Sequence, residues 1–266
     1  MRIIYFGNNL AGLRVLEWLL AQGDEITALV LHPAEKSRYR DEIIAAARLP
    51  ADRIFDGPQL RHPTAIEALR ALRPEIGLSV FFGYILRQDV LALFPAGCLN
   101  LHSSYLPHNR GAYANVWSIV GRTPAGATLH YVDEGVDTGD IVAQKQVPVL
   151  STDTGKALYA RLEEACIELF KEVWPLVRSG NASRVPQDHS KATHHRVADV
   201  ERIDRIDLDR TYTARELLDI IRARTFPPFK GAYFEEAGER VYMRLELLRD
   251  AEVRRPDHQE GDADAR

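Results

Sequence analysis

The chain has 266 residues, 34 Lys+Arg against 38 Asp+Glu, and a formal net charge of -4. That length holds one large domain, or one with a small appendage, and 45% hydrophobic residues supply a sizeable core rather than a disordered chain. The charge excludes a global basic footprint for nucleic acid, and two cysteines, Cys98 and Cys166, exclude a disulfide framework or a four-thiolate zinc site. No apolar run approaches the roughly 20 residues that cross a bilayer. The apolar start, Met1 to Phe6, meets Gly7-Asn8-Asn9 too soon to be a signal peptide. A soluble, cytoplasmic protein without a membrane partner is expected.

The first hundred residues alternate strands and helices. Ile3 to Phe6 is a continuous apolar run, the pattern of a strand buried on both faces. Leu13, Leu16, Leu19 and Leu20 then follow helical spacing. Ile26 to Leu31 reads as a second buried strand, Arg40 to Arg48 as a helix, Arg53 to Phe55 as a short strand, and Pro63 to Leu72 as an amphipathic helix. Ile76 to Phe82 and Leu99 to His102 complete the strands, with a helix at Ala112 to Gly121. This alternation predicts an α/β fold: a Rossmann-like, mostly parallel sheet whose ligands sit beyond the carboxyl ends of the strands.

After residue 120 the texture changes. Thr128 to Val132 and Ile141 to Val149 read as a strand pair joined by a turn-rich loop. Thr154 to Arg178 is a long amphipathic helix, with Asp153 as its expected cap. The expected division is a catalytic domain over 1–180, a polar linker over 181–202, a small α+β module over 203–248, and a disordered charged tail over 249–266.

Chemistry concentrates in two segments. In the strand ending at His102, side chains alternate faces, so Asn100 and His102 point the same way. An amide and an imidazole thus share the carboxyl end of a strand, where an α/β sheet keeps its site, although such a pair is equally often structural. The second segment is Gly135-Val136-Asp137-Thr138-Gly139-Asp140. Alone, Asp137 reads as a turn residue bonding its own backbone; its weight comes from pairing with Asn100 and His102. The opening Gly7-Asn8-Asn9-Leu10-Ala11-Gly12 lacks the middle glycine of a dinucleotide fingerprint and the Gly-Lys of a P-loop. Its helix start can still hold an anionic group, with Asn9 best placed to assist. Asp188, His189, His194 and His195 lie in the linker without a cysteine partner, and no metal is assigned to them. His130 faces the same way as Thr128, near the Asp137 loop, and reads as structural or as support for it.

Asn100-x-His102, Leu106-Pro107, Arg110-Gly111 and Val136-Asp137-Thr138-Gly139-Asp140, in this order and separation, resemble the folate-dependent formyltransferases. The resemblance covers about residues 1–180. It implies 10-formyltetrahydrofolate as co-substrate and Asn100, His102 and Asp137 as a catalytic trio. It also implies a folate-side loop at Phe82-Gly83-Tyr84-Ile85-Leu86, with Asp140 alongside. In that setting Asn100 and a protonated His102 would donate to the developing oxyanion. Asp137 would orient the imidazole and raise its pKa.

The acceptor is weighed from the last third. A methionyl-tRNA formyltransferase would carry a basic barrel of about a hundred residues there; glycinamide ribonucleotide transformylases usually end near the long helix. The pattern of Ile206-Asp207-Leu208, Leu217 to Ile221 and Arg222-Ala223-Arg224-Thr225-Phe226-Pro227-Pro228-Phe229-Lys230-Gly231 is similar to sugar N-formyltransferases acting on dTDP- or UDP-linked amino sugars. This resemblance also implies a homodimer. Asn9, Tyr105, Arg110, Tyr113, Arg222, Arg224 and Lys230 are the candidate acceptor-binding residues, the cations equally readable as a solvated helix end. A formyltetrahydrofolate hydrolase shares the trio but typically adds an N-terminal domain. A non-catalytic folate or nucleotide module and an NAD-dependent oxidoreductase are the remaining rivals.

Overall fold

The computed structural model describes residues 1–253. A seven-stranded sheet forms the centre, in the order β3-β2-β1-β4-β5-β7-β8. Its strands are β1 (Arg2–Gly7), β2 (Glu25–Leu31), β3 (Ile54–Asp56), β4 (Ile76–Val80), β5 (Cys98–His102), β7 (Ala125–Tyr131) and β8 (Ile141–Val147). The two-residue β6 (Arg110–Gly111) lies outside this sheet. Strands β3 through β5 pair in parallel, while β7 and β8 run antiparallel. The apolar runs explain the burial. In β1, Ile3 and Tyr5 join one core while Ile4 and Phe6 join the core on the opposite face.

Helices α1 (Asn9–Ala21), α2 (Arg40–Ala47), α5 (Ala114–Val120) and α6 (Gly155–Arg178) supply residues to the first core, and α3 (Pro63–Ala71) and α4 (Gln88–Leu91) to the second. Helix α6 runs 24 residues and buries Leu158, Leu162, Cys166, Leu169 and Val173 along one stripe. Its cap is Thr154, whose side chain accepts Ala157 N–H, and not Asp153 as expected. Asp153 instead takes Leu150 N–H at 2.6 Å and the Arg161 guanidinium at 2.5 Å.

The module after the core has α7 (Glu201–Asp204), α8 (Ala214–Ala223) and a hairpin of β10 (Tyr233–Glu236) and β11 (Glu239–Tyr242). Thr213 and Glu216 form a reciprocal capping box on α8. A small core of Ile206, Ile221 and Ala232 holds the module together. The stretch expected to be a polar linker packs back on the sheet. Val185 bridges Ile141, and β9 (His194–His195) pairs in parallel with β6. In the expected disordered tail, Asp250–Glu252 forms a 3-10 turn; residues 254–266 of that tail lie outside the described residues. No described helix is long and apolar enough to cross a membrane.

Candidate active site

The parallel sheet reverses its strand order between β1 and β4, and the crevice beyond β4 and β5 is where such a sheet leaves room for a ligand. A cavity of about 560 Å³ opens there, with Asn100, His102 and Asp137 in its wall. Asn100 and His102 share one face of β5, as their alternation requires, each only partly covered. Asp137 reaches them from the β7–β8 loop with a left-handed backbone, φ 54°, a conformation Asp tolerates better than most residues.

The register of the sheet dresses Asn100 from both sides. Ser79 on β4 and His130 on β7 are its paired residues. Ser79 Oγ donates to Asn100 Oδ1 at 2.8 Å, which turns the amide nitrogen outward. That nitrogen faces His130 Nε2 at 3.2 Å and Asp137 Oδ1 at 3.4 Å. His130 Nδ1 lies 2.8 Å from the Tyr131 carbonyl, which only accepts, so Nδ1 carries a proton and donates it there. The sequence does not single out Ser79, and it reads His130 only as structural or as support for the Asp137 loop, because contact with Asn100 depends on strand pairing.

Asp137 Oδ2 accepts Gly111 N–H at 2.8 Å and lies 3.6 Å from His102 Nε2. Burial alone would raise this carboxyl, but His102, His130 and the Gly111 N–H together hold it well below the usual carboxylate range. Asp137 is therefore an anion at neutral pH. His102 shows the reverse balance: burial lowers its pKa and outweighs the upward pull of Asp137, with His130 lowering it further. The expectation of a protonated His102 is thus corrected, since Asp137 does pull upward and desolvation wins. Nε2 of His102 is buried without a hydrogen-bond partner. The Asn109 backbone pulls the ring's pKa up as well, more weakly than burial pulls it down. Nε2 faces Asp137 Oδ2 across 3.6 Å.

The expected folate-side loop follows β4 and borders the same cavity. Phe82 and Leu86 are buried, while Ile85 is 72% exposed. Phe82, Tyr84 and His32 form an aromatic cluster with centroid separations of 5.0–5.4 Å, and Gly83 N donates to His32 Nε2. Asp140 stands apart, paired with Arg184 at 2.7 Å.

The expected acceptor-binding residues are less assembled. Asn9 Nδ2 donates to Tyr159 OH on α6 at 3.2 Å. Tyr105 packs against Gly126, and Tyr113 is 43% exposed with the Arg224 guanidinium 6.0 Å above its ring. Arg110 is buried, bonded to Gln187 Oε1. Arg222 is buried in an ion pair with Asp219 at 2.8 Å and donates to the Leu150 and Asp153 carbonyls. Arg224 is paired bidentately with Asp204, and Lys230 lies 5.7 Å from the Tyr242 ring. None of these last three borders the 560 Å³ cavity. The sequence signal that could have flagged Arg222 is Asp219, three residues earlier on the same helix. Among the described residues no group of three His, Cys, Asp or Glu side chains is arranged to hold a metal ion.

A family model described as formyl transferase matches residues 6–174, and one described as the N-formyltransferase dimerization C-terminal domain matches residues 199–249. Among solved structures, a 4-N formyltransferase from Francisella tularensis is 26% identical with a TM-score of 0.81, over 93% of this chain and 98% of that one. A sugar N-formyltransferase from Shewanella shares the fold at 22% identity and a TM-score of 0.80, over 94% of this chain and 99% of that one. The formyltransferase PseJ from Anoxybacillus kamchatkensis was solved with UDP-4,6-dideoxy-4-formamido-L-AltNAc and tetrahydrofolate. It is 29% identical with a TM-score of 0.55, over 76% of this chain and 89% of that one. The first of these family matches spans more than half of the chain and holds Asn100, His102 and Asp137 together, so the chain belongs to the formyl transferase family.

Proposed function

We propose that this protein transfers the formyl group of 10-formyltetrahydrofolate to the free amine of a nucleotide-linked amino sugar. The observation that carries the reading is Asn100, His102 and Asp137 converging on one cavity whose other wall is the Phe82–Leu86 loop. That wall supports a flat heteroaromatic ligand: two aromatic rings and an exposed isoleucine beside a glycine-containing turn. The Anoxybacillus relative, solved with a UDP-linked formamido sugar and tetrahydrofolate, supports an amino-sugar acceptor on a folate-dependent enzyme. The module of residues 203–248, beside its match to a dimerization domain, supports a homodimer; residues 1–180 carry the chemistry.

The folate supplies an activated formyl carbon. The acceptor amine attacks that carbon, and negative charge develops on its oxygen. Asn100 Nδ2, with its carbonyl held by Ser79, gives up its long 3.4 Å contact to Asp137 Oδ1 and donates to that oxygen instead, and stabilisation of this kind is commonly the largest single contribution to such a reaction. The neutral Nε2 of His102 takes the proton the amine must lose. The imidazolium so formed stands beside ionised Asp137, which stabilises it and does not itself become protonated. The proton then passes to the departing folate nitrogen as the carbon–nitrogen bond breaks, leaving the formamide and tetrahydrofolate. No covalent enzyme intermediate is needed.

The two buried free thiols, Cys98 and Cys166, fit a reducing compartment, and we place the reaction in the cytoplasm. The test is consumption of 10-formyltetrahydrofolate against a panel of amino-deoxy dTDP- and UDP-sugars, with charged initiator tRNA as the rival acceptor. Formylation of a nucleotide sugar supports the reading; formylation of the tRNA alone overturns it.

A further inference from the structure

Asp137 is gripped at both ends by one crossing segment, residues 185–195. Its carboxylate takes Gly111 N–H, and Gly111 is itself flanked by bonds to that segment. Arg110 N donates to Thr193 O and Ala112 N donates to His195 O, each at 2.9 Å. Its backbone carbonyl is taken by Gln187, whose Nε2 donates to Asp137 O at 2.9 Å and to Gly139 O at 2.7 Å.

Gln187 is 6% exposed, and its Oε1 accepts from Arg110 Nη2 at 2.6 Å and Nε at 3.2 Å. Both donors and both acceptor sites of the carboxamide are therefore in use. Arg110 decides which way the amide faces. A guanidinium only donates, so the oxygen must turn toward it and the two N–H groups toward the loop. Arg110 forms no carboxylate ion pair among the described residues; its remaining bonds go to His189 Nδ1 and His194 Nε2.

The loop needs this hold. Its own internal bonds, from Gly135 N and Thr138 Oγ1 to Asp133 Oδ1, fasten the tip and leave the Asp137 carbonyl to Gln187. Val136 at the tip is 46% exposed, and Asp137 itself sits at φ 54°.

We propose that Gln187, oriented by Arg110, is a positioning residue that fixes the backbone of the Asp137 loop and so keeps the Asp137 carboxylate within reach of His102. The role in turnover rests on the formyl-transfer reading above. A misplacement of about 1 Å at such a centre can cost on the order of 100-fold in rate.

Two variants test this in the full chain: Gln187→Met, of matching shape without hydrogen bonds, and Gln187→Asn, which keeps an amide by Arg110 but cannot span to both carbonyls. For each, kcat is expected to fall about 10-fold or more while KM for folate and for acceptor stays within about twofold. Loss confined to KM, or kcat within twofold of the parent, overturns the proposal. A second measurement needs no substrate: the His102 imidazole is titrated by NMR in Gln187→Met and in the parent. Withdrawal of the Asp137 carboxylate moves the His102 midpoint down; an unchanged midpoint overturns the positioning role. This readout stands even if the parent protein turns over no folate, an outcome that sinks the formyl-transfer reading alone. Should Gln187→Met fail to fold, Gln187→Asn carries both measurements.

Discussion

His102 Nε2 stands 3.6 Å from Asp137 Oδ2, near enough for an ion pair once a proton arrives and too far for a hydrogen bond before it does. The buried ring is neutral and the facing carboxyl is ionised, so the pair is arranged to receive a proton during turnover rather than to hold one at rest. The predictions start from that relationship.

The His102 ring, followed by NMR in the free protein, should titrate below the ordinary histidine value of 6.5, because burial outweighs Asp137. Asp137→Asn should push it lower still, since the carboxylate is the main group pulling up. The sign for stability follows. The unfolded chain takes a proton near pH 6.5 that the folded one resists, so stability from the neutral ring is complete above that pH and is lost as pH falls below it. Melting temperature should therefore decline on acidification from pH 7. A His102 midpoint above 6.5 would contradict the assignment of the ring as the resting base.

Asn100→Ala removes the only side-chain donor assigned to the developing oxyanion. Turnover should drop about 100-fold or more with a modest change in KM, as is usual when one such donor is deleted. Ser79 and His130 lose a partner as well, so unfolding should be measured beside the kinetics. Activity near the parent level would remove Asn100 from the reaction.

Gly111 has φ 86°, and a Cβ there would collide with His195 O. Gly111→Ala should cost about 1–3 kcal/mol of stability by denaturant unfolding, from the strained backbone and the clash. It should also cost turnover, because the N–H that anchors Asp137 moves with the backbone. An alanine variant as stable and as active as the parent would mean that β6 and β9 do not brace the site.

Arg222 tests a different relationship. It is buried against Asp219 and caps two carbonyls of the turn before α6. Arg222→Leu should lower stability by about 1–3 kcal/mol, through the Leu150 and Asp153 carbonyls left without this donor, since Asp219 keeps its pair with Arg122, while acceptor KM changes little. A raised acceptor KM at unchanged stability would return Arg222 to the substrate.

Much of this was legible in the residues. Continuous apolar runs at Ile3–Phe6 and Ile26–Leu31 announce strands covered on both faces, and the two-residue repeat of Asn100 and His102 places them together on β5. Segment 180–200 was illegible for a physical reason. Gln187, Thr193 and His194 are polar because they bond to the site, and polar composition reads as solvent exposure. His130 becomes a neighbour of Asn100 only through the β5–β7 register. The neutral state of His102 depends on how deeply the fold buries it, and that is a property of packing with no local pattern.

The central claim is tested most directly by mass analysis of a nucleotide-linked amino sugar after incubation with 10-formyltetrahydrofolate and either the parent protein or His102→Ala. The account predicts one formyl group gained on the sugar amine per tetrahydrofolate released, and a rate about 100-fold lower or less still with the variant. Folate consumed with formate released and the sugar unchanged, or His102→Ala working at the parent rate, would contradict it.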